Sequence, residues 1–226
     1  MARSKSYKAI KEKTPTEAVG LSEAVVFVKE HPAAKFDETV EIHMHLGIDP
    51  SKSDQTVRGS VVLPHGTPKQ KKVVVFTDDK SKQEAAKAAG AVLVGGQELI
   101  DKIAAEGVLD ADITVASPDM MAKVAKVAKI LGPKGLMPNP KTGTVTPDVE
   151  AAVKELSAGK MAFKMDQLGN IHEGVAKVSW DANKIEENIE ALIEAVRAAR
   201  PATQKGQFLP HVVVNTTMGP SIRLTV

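Results

Sequence analysis

The chain has 226 residues, 42% hydrophobic and 26% charged, enough apolar material for a folded core and no uninterrupted apolar run of membrane-spanning length. Zero cysteines exclude disulfides, thiolate nucleophiles and thiolate metal ligands, and an intracellular location is the expectation. The formal net charge of +2 conceals an uneven distribution. Residues Asp181 to Arg200 carry five acidic side chains against three basic ones, whereas Met120 to Lys141 carry five lysines and no acid.

In chain order, the opening stretch MARSKSYKAIKEKTPTE is basic, with Arg3, Lys5, Lys8, Lys11 and Lys13 against Glu12, and lacks the apolar segment of a secretory signal. FDETVEIHMHLGID (36–49) and TVRGSVVLP (56–64) alternate apolar with polar residues, which predicts half-exposed antiparallel strands. KKVVVFT (71–77), AVLVGG (91–96) and ADITVAS (111–117) are instead short apolar runs. Each is followed by a helix-forming stretch, the third being PDMMAKVAKVAKIL with Ser117 as N-cap and Pro118 at the first helical position. Three successive strand–helix units predict a small parallel sheet covered by helices. After them GKMAFKMD and NIHEGVAKVSW read as two strands joined at QLGN. A long helix is predicted from about Asp181 to Arg200, with Ile185, Ile189, Leu192, Ile193 and Val196 on one face. LPHVVVNTTMGPSIRLTV closes the chain as two strands around a turn.

This change of grammar on both sides of a βαβ block predicts an α/β protein of two domains. One is a discontinuous α+β domain, residues 1–67 and 159–226, whose antiparallel sheet is formed by both chain ends. The other is an inserted Rossmann-like three-layer domain, residues 68–158. Junctions are expected near Thr67–Gln70 and Ser157–Lys160, and two chain crossings would permit a hinge.

Candidate chemistry is sparse. ILGPKGLMPNPKTGTV (130–145) is rich in glycine and bears two lysines, but a phosphate loop needs Gly, four residues, then Gly-Lys-Ser/Thr. From Gly132 that spacing lands on Met137, and Gly159-Lys160 is followed by Met161. Pro133, Pro138 and Pro140 also remove backbone donors. Gly95-Gly96 follows a strand without the third glycine of a dinucleotide fingerprint, and no Gly-x-Ser-x-Gly elbow occurs. His43 and His45 fall on one side of a strand, where they could begin a metal site or simply furnish a polar sheet face. Lys123, Lys126 and Lys129 line one helix face, either solvated or available to phosphate. TTMGPS (216–221) is either a plain turn or a recognition loop. Aromatic residues make up only 3%, which disfavours a stacking platform for single strands.

Three motifs in order, AKFDETVEIHMHLGIDPSKSDQTVRGSVVLPHG (34–66), ILGPKGLMPNPKTGTV and NTTMGPSIRLTV, resemble the L-one family of large-ribosomal-subunit proteins, the protein of the mobile side stalk. The resemblance runs from about Tyr7 to the last strand, and the length and short N-terminal arm look like the bacterial type. It implies a non-enzymatic, cytoplasmic, ribosome-associated protein, monomeric when free and without a cofactor or metal. Its expected partners are the large-subunit ribosomal RNA of the stalk and its own messenger, which it would repress through a similar RNA fold. Exit-site tRNA, whose release the stalk assists, is a further candidate. Carried over by position, the resemblance implies RNA contacts at Lys35, Phe36, Thr39, Glu41, Lys164, His172, Thr216, Thr217, Met218, Gly219 and Ser221. Lys35 and Phe36 are expected at a strand edge, and Lys164 and His172 on one hairpin. Lys134 and Lys141 are left as secondary electrostatic or inter-domain contacts.

Overall fold

The computed structural model describes residues 4–50, 52–69 and 71–225. Arg3, part of the basic N-terminal group, and Gln70, at the expected first junction, lie outside the described residues. In chain order, α1 (Lys5–Lys13) and α2 (Leu21–Glu30) precede β1 (Thr39–His45) and β2 (Arg58–Val62). Then come β3 (Val73–Phe76), α3 (Lys80–Ala88), β4 (Leu93–Gly95), α4 (Gln97–Glu106) and β5 (Ile113–Ala116). The short helices α5 (Met121–Val124) and α6 (Ala128–Leu131) and the longer α7 (Val149–Ala158) follow. The chain ends with β6 (Lys160–Lys164), β7 (Asn170–Lys177), α8 (Ala182–Ala198), β8 (His211–Thr216) and β9 (Ile222–Leu224). Packing divides these elements into two compact units, Met1–Pro68 with Met161–Val226, and Lys69–Lys160.

In the second unit a parallel sheet of order β4-β3-β5 is covered on both faces. Val73, Val75 and Val115 pack with Ala86, Val149, Val153 and Leu156 of α3 and α7. Val74, Phe76 and Ala116 pack with Ile100, Ile103, Met120, Val124, Val127 and Leu131 on the opposite side. A strand buried on both faces has no polar positions, hence the run VVVF.

The pattern predicts one helix over the third helical stretch, but it is broken. Turns of 3-10 helix at Pro118–Met120 and Ala125–Val127 interrupt it, and the Ser117 side chain makes no capping bond. Met120, Val124, Val127 and Leu131 all stay buried at α-helical spacing, so the stretch keeps its apolar face across the breaks.

In the first unit the four-stranded sheet has the order β7-β1-β8-β9, so the strand from the N-terminal part lies between strands from the C-terminal part. β1 runs antiparallel to both neighbours. One face is apolar: Val40, Ile42, Met44, Ile171, Val175, Val212, Val214 and Ile222 pack against Ala24, Val25 and Val28 of α2 and the Ile185–Val196 stripe of α8. Helical periodicity predicts that stripe but does not assign α1, α2 or α7. Full burial of each aliphatic side chain of α8 contributes about 1.5–3 kcal/mol. Asn188 interrupts the stripe at 0% exposure. Its side chain accepts the His65 N–H (3.1 Å) and donates to Val175 O (2.8 Å) and Gly66 O (3.2 Å), tying α8 to β7 and to the loop after β2.

β6 and β7 do not form the expected hairpin, because β6 pairs with β2 in a separate two-stranded sheet. The Asp166 carboxylate accepts the N–H groups of Leu168 (2.8 Å) and Asn170 (2.7 Å), a side-chain-built turn that redirects the chain. Met165 meanwhile donates its N–H to Val57 O, keeping β6 on the β2 side.

Candidate nucleic-acid interface

Among the described residues of this unit, helices pack on the apolar face of the four-stranded sheet and not on its second face. Along β1 the buried residues alternate with Thr39, Glu41, His43 and His45, which point away from the core. Register brings polar partners alongside: Lys177 opposite Thr39, His172 opposite His43 and Asn170 opposite His45 on β7, with Asn215 opposite Glu41 and His211 opposite His45 on β8. These groups are bonded laterally. His43 Nδ1 lies 2.8 Å from His172 Nδ1, His43 Nε2 2.7 Å from Asn215 Oδ1, and His45 Nδ1 2.8 Å from Asn170 Oδ1. Asn215 donates its amide to Thr216 O, so its oxygen faces the imidazole. A neutral pair therefore uses the Nε2–H tautomer of His43 and the Nδ1–H tautomer of His172. His172 Nε2 also lies 3.6 Å from Asp166. That carboxyl is held below the usual carboxylate range, first by the Asn170 backbone N–H, with His172 adding a smaller attraction.

A bulge between Val40 and Glu41 shifts the β1–β7 register near one end of this face. Beyond it the chain ends meet. Thr217 Oγ1 accepts the Thr39 N–H (3.1 Å), and the Thr217 N–H returns a bond to Thr39 O (3.1 Å), extending the ladder past β8. Lys177 donates its ammonium to Thr39 Oγ1 (2.9 Å) and Asp37 O (3.2 Å). The Asp37 carboxylate accepts the backbone N–H and hydroxyl of Ser179. Glu38, only 1% exposed, accepts the Ala33 N–H (2.9 Å) on Oε2 and the Met218 N–H (2.9 Å) on Oε1. Around these anchors Lys35 is exposed, and Phe36 and Met218 each leave 57% of their surface in solvent. Two large apolar side chains so exposed at one tip, amid amide, hydroxyl and ammonium donors, suit a partner with flat apolar faces and anionic oxygens.

Gly219 closes the turn by donating its N–H to Thr216 O (3.0 Å). A Cβ there would fall 2.3 Å from Thr216 Oγ1, so the position requires glycine for close approach rather than for its dihedral angles. Thus Lys35, Phe36, Thr39, Glu41, His172, Thr217, Met218, Gly219 and Ser221 share one unit with the sheet's open face. Three expectations are corrected. Thr216 is 3% exposed and faces the core, because β8 alternates and its even positions point inward. Lys35 and Phe36 lie in a bend ahead of β1 rather than on a strand edge. Lys164 is exposed on β6, in the other sheet from His172. Motif matching missed Lys177, Asn215 and Glu38. The first two could have been found by counting outward positions on the paired strands, but Glu38 takes an inward position, where an acid gives no sign of its partners.

In the second unit Lys134 is exposed, and the side chain of Lys141 lies outside the described residues. The surrounding loop is stapled: the Thr144 hydroxyl accepts the Asn139 N–H (2.8 Å), Thr114 donates its hydroxyl to Leu136 O, and Val145 bridges to Ala116 beside β5. Gly135 and Gly143 occupy the left-handed region at φ 70° and 72°, so the glycines serve backbone shape. The crevice at the carboxyl ends of β3 and β5 is lined by Thr77, Asp78, Asp79, Lys82, Ser117, Asp119 and Met120. Three carboxylates against one lysine is the wrong charge for a phosphate-bearing ligand. Lys123, from the predicted basic face, pairs with Asp78 there and lowers that carboxyl's pKa.

Residues 28–220 match the family model described as the ribosomal protein L1p/L10e family. The chain is 50% identical over 222 residues to a protein of Fervidobacterium nodosum, covering 98% of this chain and 94% of the relative. It is 49% identical over 223 residues to one of Kosmotoga olearia, covering 98% and 96%. It is 47% identical over 220 residues to one of Solibacter usitatus, covering 97% and 92%. Each relative is named large ribosomal subunit protein uL1.

Proposed function

The chain belongs to the ribosomal protein L1p/L10e family, and from that premise we propose that it is a structural component of the large ribosomal subunit that binds ribosomal RNA through the open face of its antiparallel sheet. It works in the cytoplasm on the ribosome, in translation and not as an enzyme. The RNA segment is that of the mobile stalk near the tRNA exit site. The protein assists release of deacylated tRNA, and the same surface represses its own messenger. The two compact units are two domains, the discontinuous one carrying the RNA contacts and the inserted one offering Lys134 and Lys141 as secondary contacts.

One observation carries this reading. The sheet's uncovered polar face ends in a tip where Phe36 and Met218 are exposed beside Lys35 and Lys177. Apolar side chains pack on ribose and base faces while ammonium and backbone donors meet phosphates and 2′-hydroxyls, reading RNA by shape more than by base code. The Thr217 hydroxyl acts in this scheme by holding Thr39 in place, since it accepts the Thr39 N–H.

The test is salt-dependent capture of fragmented total ribosomal RNA, with the retained fragment sequenced. Retention of one large-subunit segment, with affinity falling linearly in the logarithm of salt concentration, supports the reading. Equal retention of all fragments overturns it. Added protein should also lower translation of its own message in a cell-free system, and unchanged yield removes the repressor role.

A further inference from the structure

The geometry points to Glu38 as the positioning residue of the RNA-binding tip: its buried carboxylate clamps two separate segments, so that Phe36 and Met218 present a single apolar surface. This inference rests on the RNA-binding reading above and names the part that sets the site's shape.

The two segments are 180 residues apart in the chain. One is the loop from Ala33 to Glu38, the other the turn from Thr216 to Gly219. Glu38 Oε2 accepts the backbone N–H groups of Ala33 (2.9 Å) and Ala34 (3.4 Å), curling the loop over its own side chain. Oε1 accepts the Met218 N–H (2.9 Å) from the turn. The Glu38 carbonyl accepts the Val178 N–H (3.0 Å), locking the residue to the end of β7. At 1% exposure, a carboxylate is retained only if its oxygens are filled, and here backbone N–H donors fill them.

The consequence is mechanical. Phe36 lies two residues before Glu38 inside the curled loop, and Met218 carries the very amide that Oε1 holds. Neither side chain is fixed by burial, since both are 57% exposed. One carboxylate joins the backbone ahead of Phe36 to the Met218 amide, adding to the Thr217–Thr39 bonds. A tip ordered before RNA arrives does not pay that ordering entropy on binding. Glutamate suits the role because both oxygens accept. Glutamine would present an amide N–H to one of the two segments, setting donor against donor.

The experiment uses the full chain, with in vitro transcribed large-subunit ribosomal RNA as the probe. Glu38→Gln, the double variant Phe36→Ala/Met218→Ala and the triple combination are compared by filter binding. Amide hydrogen exchange at Ala33 and Met218 is followed without RNA. Glu38→Gln should weaken binding about tenfold in the native background, within the range for leaving a buried partner unsatisfied. It should change affinity less than about twofold once Phe36 and Met218 are gone, because its effect passes through them. Exchange at both amides should be slow in the native chain and accelerate together in Glu38→Gln. An equal loss in both backgrounds marks Glu38 as merely structural and overturns the proposal, as does no loss at all. Should Glu38→Gln not fold, Glu38→Asp replaces it: the charge stays, but a side chain one methylene shorter reaches one segment and not both. Failure of the native chain to bind any ribosomal RNA would sink the functional reading alone. The clamp then stands or falls on amide protection, and fast exchange at Met218 in the native chain overturns it.

Discussion

The two larger sheets are built from similar strand-forming residues and end with opposite uses. The parallel sheet β4-β3-β5 is sandwiched between helices, so β3 and most of β5 are spent on packing, and the edge strand β4 and the loops meet solvent. Among the described residues of its own unit, the antiparallel sheet β7-β1-β8-β9 has helices on one face, which leaves every second residue of β1 free to be polar and laterally bonded. Covering one face supplies stability, and leaving the other open supplies a surface. A sheet covered on both sides must place any function at its edges.

The sharpest way to break this comparison is Asn188→Ala, which strips a buried bridge from α8 and leaves partners at Val175, Gly66 and His65 unsatisfied. The antiparallel unit should lose about 3 kcal/mol. Urea unfolding followed by the single tryptophan, Trp180 of that unit, reads the loss, and amide exchange in β3 and β5 should not move. Equal destabilisation of both units would mean that they are one cooperative body.

Thr217→Ala should next weaken RNA binding by up to about 1.5 kcal/mol, the net range for one lost hydrogen bond, here the exposed one that holds the Thr39 N–H. The Trp180-monitored midpoint should barely shift, and unchanged affinity would remove Thr217 from the site. A shortened chain joining Pro68 to Met161 by a brief Gly-Ser link should stay within about tenfold of native affinity, or roughly 1.4 kcal/mol. If it fails to bind while residues 69–160 alone succeed, the sheets' roles are reversed.

Thr144→Val should cost the second unit about 1 kcal/mol by removing the acceptor of the Asn139 N–H, without changing RNA affinity. The smallest effect is pH-dependent. Backbone donation by Asn170 lowers the Asp166 pKa, so its support of the turn is complete above the ordinary value of 3.8 and is lost as pH falls through the lowered value. Carboxyl titration by NMR should find Asp166 below that ordinary value, and a midpoint at or above it would remove the turn's electrostatic support.

Much of this was legible in advance, for identifiable reasons. Alternation in TVEIHMH told which residues of β1 point outward, and the unbroken VVVF told that β3 is covered on both faces. Motif resemblance found Phe36, Thr217 and Met218 at the tip. It also included Thr216 and grouped Lys164 with His172, because a motif records proximity along the chain and not which way a strand's side chains point. The sequence pattern does not assign α2 and α7, because their apolar positions make sense only against the sheets they cover. Glu38 was passed over because a buried glutamate looks like any surface acid until its three backbone donors are known.

The sequence by itself determined the strand and helix periods, the change from alternating to continuous apolar runs, the turn chemistry around Gly135 and Gly219, and the family. Those depend on local sterics and on the repeat with which side chains emerge from the backbone. Only the tertiary structure decided that β1 lies between β7 and β8, that β6 leaves its neighbour for β2, that KVAKVAK tightens into a 3-10 turn, and that Glu38 joins the segments before β1 and after β8 at one tip. Each of these turns on which distant segment satisfies a backbone hydrogen bond or fills a core position, and a backbone N–H looks alike at every residue until its partner arrives.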